Sequence, residues 1–225
     1  MTLRKRIACL HTAAGNIALF EAAAVDLALD LRHLVRAHLL AAAEQAGGLT
    51  PSIVEETEAA LRAAAGDADF VLLACSTLGP VADGLRAKVP TLRIDRALAE
   101  AAVKNGGRVA VLYTFPGTAQ ASGDLFREVA AGTEAEIDLQ LVPGAWDLFK
   151  EGDQQQYLAM IADAADRAFA AGAASVAFAQ ASMAPAAGLC VKGTPLTSPR
   201  ASLLKAMQGG RMNDAGRHGK IAPCQ

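Results

Sequence analysis

Cys75, Ser76 and Thr77 follow directly on the apolar run "FVLLA" at residues 70–74, which puts a thiol and two hydroxyls where a buried strand would leave its core. A cysteine becomes a useful acid/base group when its thiolate is stabilised, and a helix N-terminus or neighbouring donors do this. Gly79 and Pro80 come next and mark a helix start close behind the thiol. A second reading also fits, that of a small buried cysteine followed by a turn, because free cysteine packs well in cores. Three further apolar runs end in the same way, in residues that donate hydrogen bonds. "RIACL" ends in His11-Thr12, "RVAVL" in Tyr113-Thr114, and "SVAFA" in Gln180-Ala181-Ser182. In "YTFPGT", Thr114 and Thr118 flank a Pro-Gly turn, where hydroxyls and free backbone N–H groups bind carboxylates well. Thr118 fits helix capping equally well, and His11 is either an acid/base group or a plain strand-end residue. Cys9 sits inside its run and reads as core. Cys190 either lines a cleft or serves packing, and Cys224 belongs to the C-terminal tail.

The elements that must position these residues alternate between short apolar runs and long Ala/Leu-rich amphipathic stretches. Strands are expected at 6–12, 70–74, 91–94, 108–114, 136–142 and 175–181. Residues 17–46 read as one long helix or two. "SIVEETEAALRAAAG" opens on a Ser52–Glu55 capping box and continues at helical spacing. Further helices are expected near 79–87, 95–106, 118–131, 153–171 and 199–207, and the Gly-rich stretch from 209 reads as a weakly structured tail. The βαβα rhythm argues for an α/β fold with parallel sheets covered on both faces.

The chain also repeats itself. "RIACLHT" at 6 matches "RVAVLYT" at 108 without gaps, an offset of 102, and "VLLACSTLGP" at 71 matches "VAFAQASMAP" at 176, an offset of 105. Pro90 and Pro195 fall at that second offset. An alanine-rich chain repeats short stretches by chance, but two independent stretches at nearly equal offsets favour two copies of one α/β unit. Open parallel sheets bind ligands beyond their strand carboxyl ends, so two facing units create a cleft between them at which the four polar strand ends converge.

Composition narrows the function classes. With 225 residues and 52% of them hydrophobic, the chain can bury a sizeable core. A net charge of -2 gives no electrostatic reason to expect nucleic acid or an anionic membrane. One asymmetry stands out: from Lys192 onward there are six Lys or Arg against the single Asp214, the pattern of a solvated basic end. No apolar run reaches the ~18 residues of a spanning helix and no signal peptide is visible, so a cytoplasmic protein is expected. The four scattered cysteines form neither zinc spacing nor a disulfide framework, and no metal is expected.

Taken together, "VLLACSTLGPVAD", "VAFAQASMAP", "YTFPGT" and the duplicated halves resemble the aspartate/glutamate racemase superfamily, also described as the Asp/Glu/hydantoin racemase family, over about residues 4–207. The superfamily includes amino-acid racemases, hydantoin racemase, maleate isomerase and arylmalonate decarboxylase. The resemblance implies two pseudosymmetric flavodoxin-like domains with an interdomain cleft, residues 1–98 with 190–225 and residues 99–189. It implies a cofactor-independent racemase or isomerase of an amino acid or other small carboxylate, acting as a homodimer. In such racemases two cysteines flank the substrate α-carbon, one removing the proton and the other returning it on the opposite face. Carried over, Cys75 matches the first catalytic cysteine and Ser76 and Thr77 the polar residues after it. Thr114 and Thr118 match the carboxylate-binding turn, and His11, Thr12 and Gln180 join the substrate-binding set.

The second cysteine is missing. A gapless repeat puts Gln180 opposite Cys75, and two extra residues put Ser182 there. A serine hydroxyl is a far weaker acid than a thiol and needs a base beside it. Racemisation with Ser182 or His11 serving the second face therefore stands beside one-sided chemistry, a decarboxylation or lyase step. A carboxylate-binding protein without catalysis and a family member that has lost activity while keeping the fold are the remaining classes.

Overall fold

The computed structural model describes residues 4–209. The expected tail from 209 and Cys224 lie, apart from Gly209, outside the described residues. Two four-stranded parallel sheets carry the chain. The first holds β1 (Lys5–His11), β2 (Leu29–Val35), β3 (Phe70–Ala74) and β4 (Thr91–Arg93) in the order β2-β1-β3-β4. The second holds β5 (Gly107–Tyr113), β6 (Ala135–Leu141), β7 (Ser175–Phe178) and β8 (Leu196–Thr197) in the order β6-β5-β7-β8. One topology is therefore used twice.

The registers tie the two copies together residue by residue. Leu10 pairs with Leu73 in the first sheet, and Leu112 pairs with Phe178 in the second. These are the positions that the offsets of 102 and 105 equate. His11 thus corresponds to Tyr113, Thr12 to Thr114 and Cys75 to Gln180.

The central strands are apolar on both faces because helices cover both. Ala8, Leu10, Val71 and Leu73 pack against α2 (Ala37–Ala46), α3 (Pro51–Ala65) and α4 (Gly79–Gly84). Ile7, Cys9, Leu72 and Ala74 face α1 (Asn16–Ala24), Ile94 at the start of α5 (Ile94–Val103), and Leu203 and Ala206 of α9 (Ser198–Gly209). In the second half, Ala110, Leu112, Val176 and Phe178 pack on α7 (Ala145–Glu151) and α8 (Gln154–Ala170). Val109, Val111 and Ala177 pack on Phe126 of α6 (Ala119–Ala130), on Leu98, Ala99 and Ala102 of α5, and on Ala201 of α9. Helices α5 and α9 therefore contribute to the cores of both halves. Arg96 adds an ionic bridge, reaching Asp83 of the first half at 3.1 Å and Glu128 of the second at 3.0 Å.

Several expectations need correction. Residues 17–46, read as one long helix or two, hold two helices with a strand between them: β2 divides α1 from α2. "LDLRHLV" is rich in leucine, whose helix propensity is high, and only the full-length ladder with β1 makes it a strand. Helix α3 is capped by Thr50, whose hydroxyl accepts from Ile53 N at 3.4 Å with Pro51 in the first turn, and not by Ser52. Strand β7 stops at Phe178, and Ala181–Leu189 winds as a 3₁₀ segment containing Pro185. Helix α7 and the two-residue β8 carried no sequence expectation; β8 joins the second sheet. Among the described residues no helix is long and apolar enough to cross a membrane.

Candidate active site

The turn after β3 is built around an arginine. Arg93, at the end of β4 and with 8% of its side chain exposed, holds Asp83 at 3.0 Å and both oxygens of Asp95 at 2.7 and 2.8 Å. Its Nη2, which also bonds Asp95, lies 3.5 Å from the Ser76 carbonyl. A buried guanidinium needs these partners, because an uncompensated charge in a core is strongly unfavourable. Gly79 makes room for it: a Cβ there would stand 2.4 Å from the guanidinium carbon. Arg93 thereby braces the loop that carries the thiol. Cys75 itself is 8% exposed and packs with Leu10, Leu73, Leu78 and Val81, while Ser76 and Thr77 are exposed. The hydroxyls of Thr12, Ser76 and Thr77 enter none of the side-chain hydrogen bonds among the described residues.

The second half is engaged where the first is free. Thr114 gives both its backbone N–H and its hydroxyl to Gln180 Oε1, each at 2.8 Å, and Phe115 N–H adds a third bond at 3.2 Å. Thr118 donates its hydroxyl to the Phe115 carbonyl at 2.8 Å, a local turn bond. Ser182 Oγ lies 2.9 Å from the Tyr157 hydroxyl. Burial pushes the Tyr157 phenol above its ordinary pKa, and the hydroxyls of Ser182 and Thr114 pull it part of the way back. Among the described residues no hydrogen bond joins Cys75, Ser76 or Thr77 to Thr114, Gln180 or Ser182. The halves meet here through α1, which packs against the 181–189 segment.

His11 is fully buried at the end of β1, in register with Ala74. Its Nε2 lies 2.8 Å from His33 Nδ1, and His33 Nε2 lies 2.9 Å from Glu21 Oε1. Glu21 as a carboxylate only accepts, so His33 carries its proton on Nε2 and offers Nδ1 as acceptor. His11 then donates from Nε2, and its Nδ1 is left as a buried lone pair without a partner. Burial and the facing His33 lower the His11 pKa to about 4.

Cys9 lies beside this pair, its thiol pushed up to about 12 by burial and by Glu21. The ligand atoms of Cys9, His11 and His33 lie within 4.8 Å of one another, and this is the one group among the described residues with the donor set for a soft divalent ion. The 2.8 Å between the ring nitrogens is hydrogen-bond distance, whereas two nitrogens on tetrahedral zinc stand about 3.3 Å apart. As they stand, the rings are bonded to each other.

Cys190 does not reach the strand ends: its Sγ donates to the Ala186 carbonyl at 3.3 Å, and burial followed by Asp166 raises its pKa to about 11. A cavity of about 850 Å³ lies between α1, α5, α9 and the 181–189 segment, lined by such residues as Leu19, Ala97, Pro185, Ala201 and Leu204. None of the strand-end residues above lines it. It is an apolar gap behind the junction of the two halves, far richer in aliphatic carbon than in groups that do chemistry.

Arg93, His33, Glu21 and Tyr157 are contributors that the sequence reading missed, and for the last three sequence patterns give no signal. A tyrosine at core spacing in a helix reads as packing, and His33 and Glu21 fall inside the stretch read as one long helix or two. For Arg93 the signal was present, since an arginine closing an apolar "TLR" strand requires acidic partners.

Comparison with known proteins adds an independent line. Residues 31–204 match the family model described as Asp/Glu/Hydantoin racemase. A search of curated protein sequences returned no match. Among solved structures, allantoin racemase from Klebsiella pneumoniae is similar at a TM-score of 0.68 and 14% identity, covering 98% of this chain and 97% of that one. Aspartate racemase from Picrophilus torridus is similar at 0.66 and 11% identity, covering 92% and 94%. Glutamate racemase from Aquifex pyrophilus is similar at 0.54 and 14%, covering 91% and 83%. At these identities the structural likeness speaks for the two-domain fold.

Proposed function

The chain belongs to the Asp/Glu/hydantoin racemase family, and from that premise we propose that it is a cofactor-independent racemase or isomerase of an amino acid or other small carboxylate, with Cys75 moving the proton at the substrate α-carbon. The observation that carries this reading is the position of Cys75. Among the described cysteines it alone follows the carboxyl end of a central parallel strand, with two exposed hydroxyls behind it. Thr12, Ser76 and Thr77 supply unengaged hydroxyls for the substrate carboxylate. The Cys75 thiolate takes the α-proton, the electron pair is delocalised into the carboxylate as an enolate, and donors around that oxygen stabilise the developing charge. Return of a proton on the opposite face falls to Ser182, with Tyr157 behind it as the stronger acid of the pair.

A second reading is favoured by Gln180. An amide neither gives up nor takes a proton near neutrality, and the sheet registers equate it with Cys75. In that reading chemistry runs on one face. The bond to a carboxylate breaks, carbon dioxide leaves, and the carbanion is protonated by Cys75 alone.

The test is α-proton exchange in D₂O, followed by NMR and chiral analysis, over both enantiomers of the amino acids and a panel of small carboxylates. Exchange with racemisation supports the first reading, and deuterium delivered to one face supports the second. Cys75→Ala is expected to lower turnover by ~10²-fold or more. Unchanged turnover in that variant would sink the role of Cys75. Ligand binding without exchange for any compound would make the protein a carboxylate binder.

A further inference from the structure

Three donors at the end of β5 converge on one oxygen that belongs to the protein itself. Thr114 N and Oγ1, each at 2.8 Å, and Phe115 N at 3.2 Å all point at Gln180 Oε1. An amide carbonyl has two lone pairs, so three donors are more than it accommodates well. A carboxylate oxygen, more basic and charged, suits such a nest better. The nest is not sealed: Thr114 is buried, Phe115 is exposed and Gln180 is partly exposed. The corresponding place in the first half has no such plug. Thr12 corresponds to Thr114 and Cys75 to Gln180, and neither the Thr12 hydroxyl nor those of Ser76 and Thr77 is taken up by the protein. The duplicated fold therefore has one strand-end donor set open and its counterpart filled.

We propose that the Gln180 carboxamide is an internal ligand, occupying the second half's anion nest with its own oxygen and so restricting the enzyme to substrates with a single carboxylate, held by the first half. This rests on the reading of the strand ends as a carboxylate site. It goes further in naming the substrate class and the residue that sets it. A dicarboxylate must either displace the Gln180 oxygen from three hydrogen bonds or leave its second charge without donors. A monocarboxylate meets neither obstacle.

Gln180→Ala tests this with acetate as the probe. The variant is expected to melt below the wild type because three donors lose their acceptor. Acetate should then raise its melting temperature saturably and by more than it raises that of the wild type, whose first-half donors alone are open, with no comparable effect of chloride. Succinate should bind the variant at least ~10-fold more tightly than it binds the wild type, while butyrate binds both alike. Equal acetate stabilisation of both proteins, or succinate binding the wild type as well as the variant, would overturn the proposal. Gln180→Glu keeps the shape and supplies a carboxylate. It should melt above the wild type at neutral pH and show no acetate effect beyond that of the wild type, and a lower melting temperature counts against the nest. Melting and ligand binding do not require Cys75, so the acetate experiment repeated in Cys75→Ala separates failure of this inference from failure of the catalytic reading.

Discussion

His11 Nε2 and His33 Nδ1 face each other at 2.8 Å inside the first half, and the far nitrogen of His33 reaches Glu21 at 2.9 Å. The chain of bonds runs from a half-exposed carboxylate to a fully buried imidazole and fixes the tautomer of both rings. It also leaves His11 Nδ1 as an orphaned acceptor, at a cost of about 1–3 kcal/mol for a buried polar group without a partner.

The first prediction follows from the His11 pKa. The folded protein holds it near 4, against an ordinary 6.5, because burial and His33 disfavour the cation. Above 6.5 the ring is neutral in both states and contributes no pH dependence. As pH falls from 6.5 the unfolded chain takes up a proton that the folded protein refuses, so stability declines until about 4, where both states bind it. Urea melts across that range should show this decline in the wild type and a shallower one in His11→Gln. Parallel profiles would contradict it.

Gly79→Ala should disturb the thiol's loop without touching the thiol. The new Cβ would meet the Arg93 guanidinium at 2.4 Å, and that group cannot move without abandoning Asp83 and Asp95. Arg93→Met removes the cation directly and leaves Asp95, 13% exposed, without its partner. Each change is expected to cost about 2 kcal/mol, below the 3–5 of a fully buried pair because Asp83 is a third exposed. Denaturant melts give the stability. Thiol labelling rates report the loop, and Cys75 should label faster in both variants.

Tyr157→Phe separates the two proposed chemistries. If Ser182 and Tyr157 serve the second face, exchange starting from one enantiomer should slow by ~10-fold or more while exchange from the other is less affected. Equal effects on both enantiomers would remove this pair from proton transfer. The lost bond to the Ser182 hydroxyl should by itself cost only about 1 kcal/mol.

Helix α3 offers a check on the fold alone. Thr50→Ala removes the side chain that accepts from Ile53 N and should cost about 1 kcal/mol, whereas Ser52→Ala should change little. Chemical denaturation of the two variants distinguishes them, and a larger loss at Ser52 would restore the capping box read from the sequence.

Much of the architecture was legible in the residues. The doubly apolar runs at β1, β3, β5 and β7 announced central parallel strands, since a run that shows no polar face must be covered on both sides. The gapless matches announced that the unit is used twice. Strand β2 was hidden because leucine-rich alternation and helical spacing overlap over seven residues, and backbone pairing with β1 decides between them. Strand β8, two residues long, carries no periodicity to read.

The polar strand ends themselves, with Cys75, Thr12, Thr114, Gln180 and Ser182, were fixed by residue type and position: an apolar run that stops in a thiol, hydroxyl or amide puts that group at the mouth of a parallel sheet. Only the tertiary structure decided what those groups do to one another. Whether Thr114 keeps its donors or gives them to Gln180, whether Ser182 leans on Tyr157, and whether His11 meets His33 depend on distances between strands and helices far apart in the chain. Hydrogen bonds reward separations near 3 Å, and packing across the sheets sets those separations in ways no spacing along the sequence records.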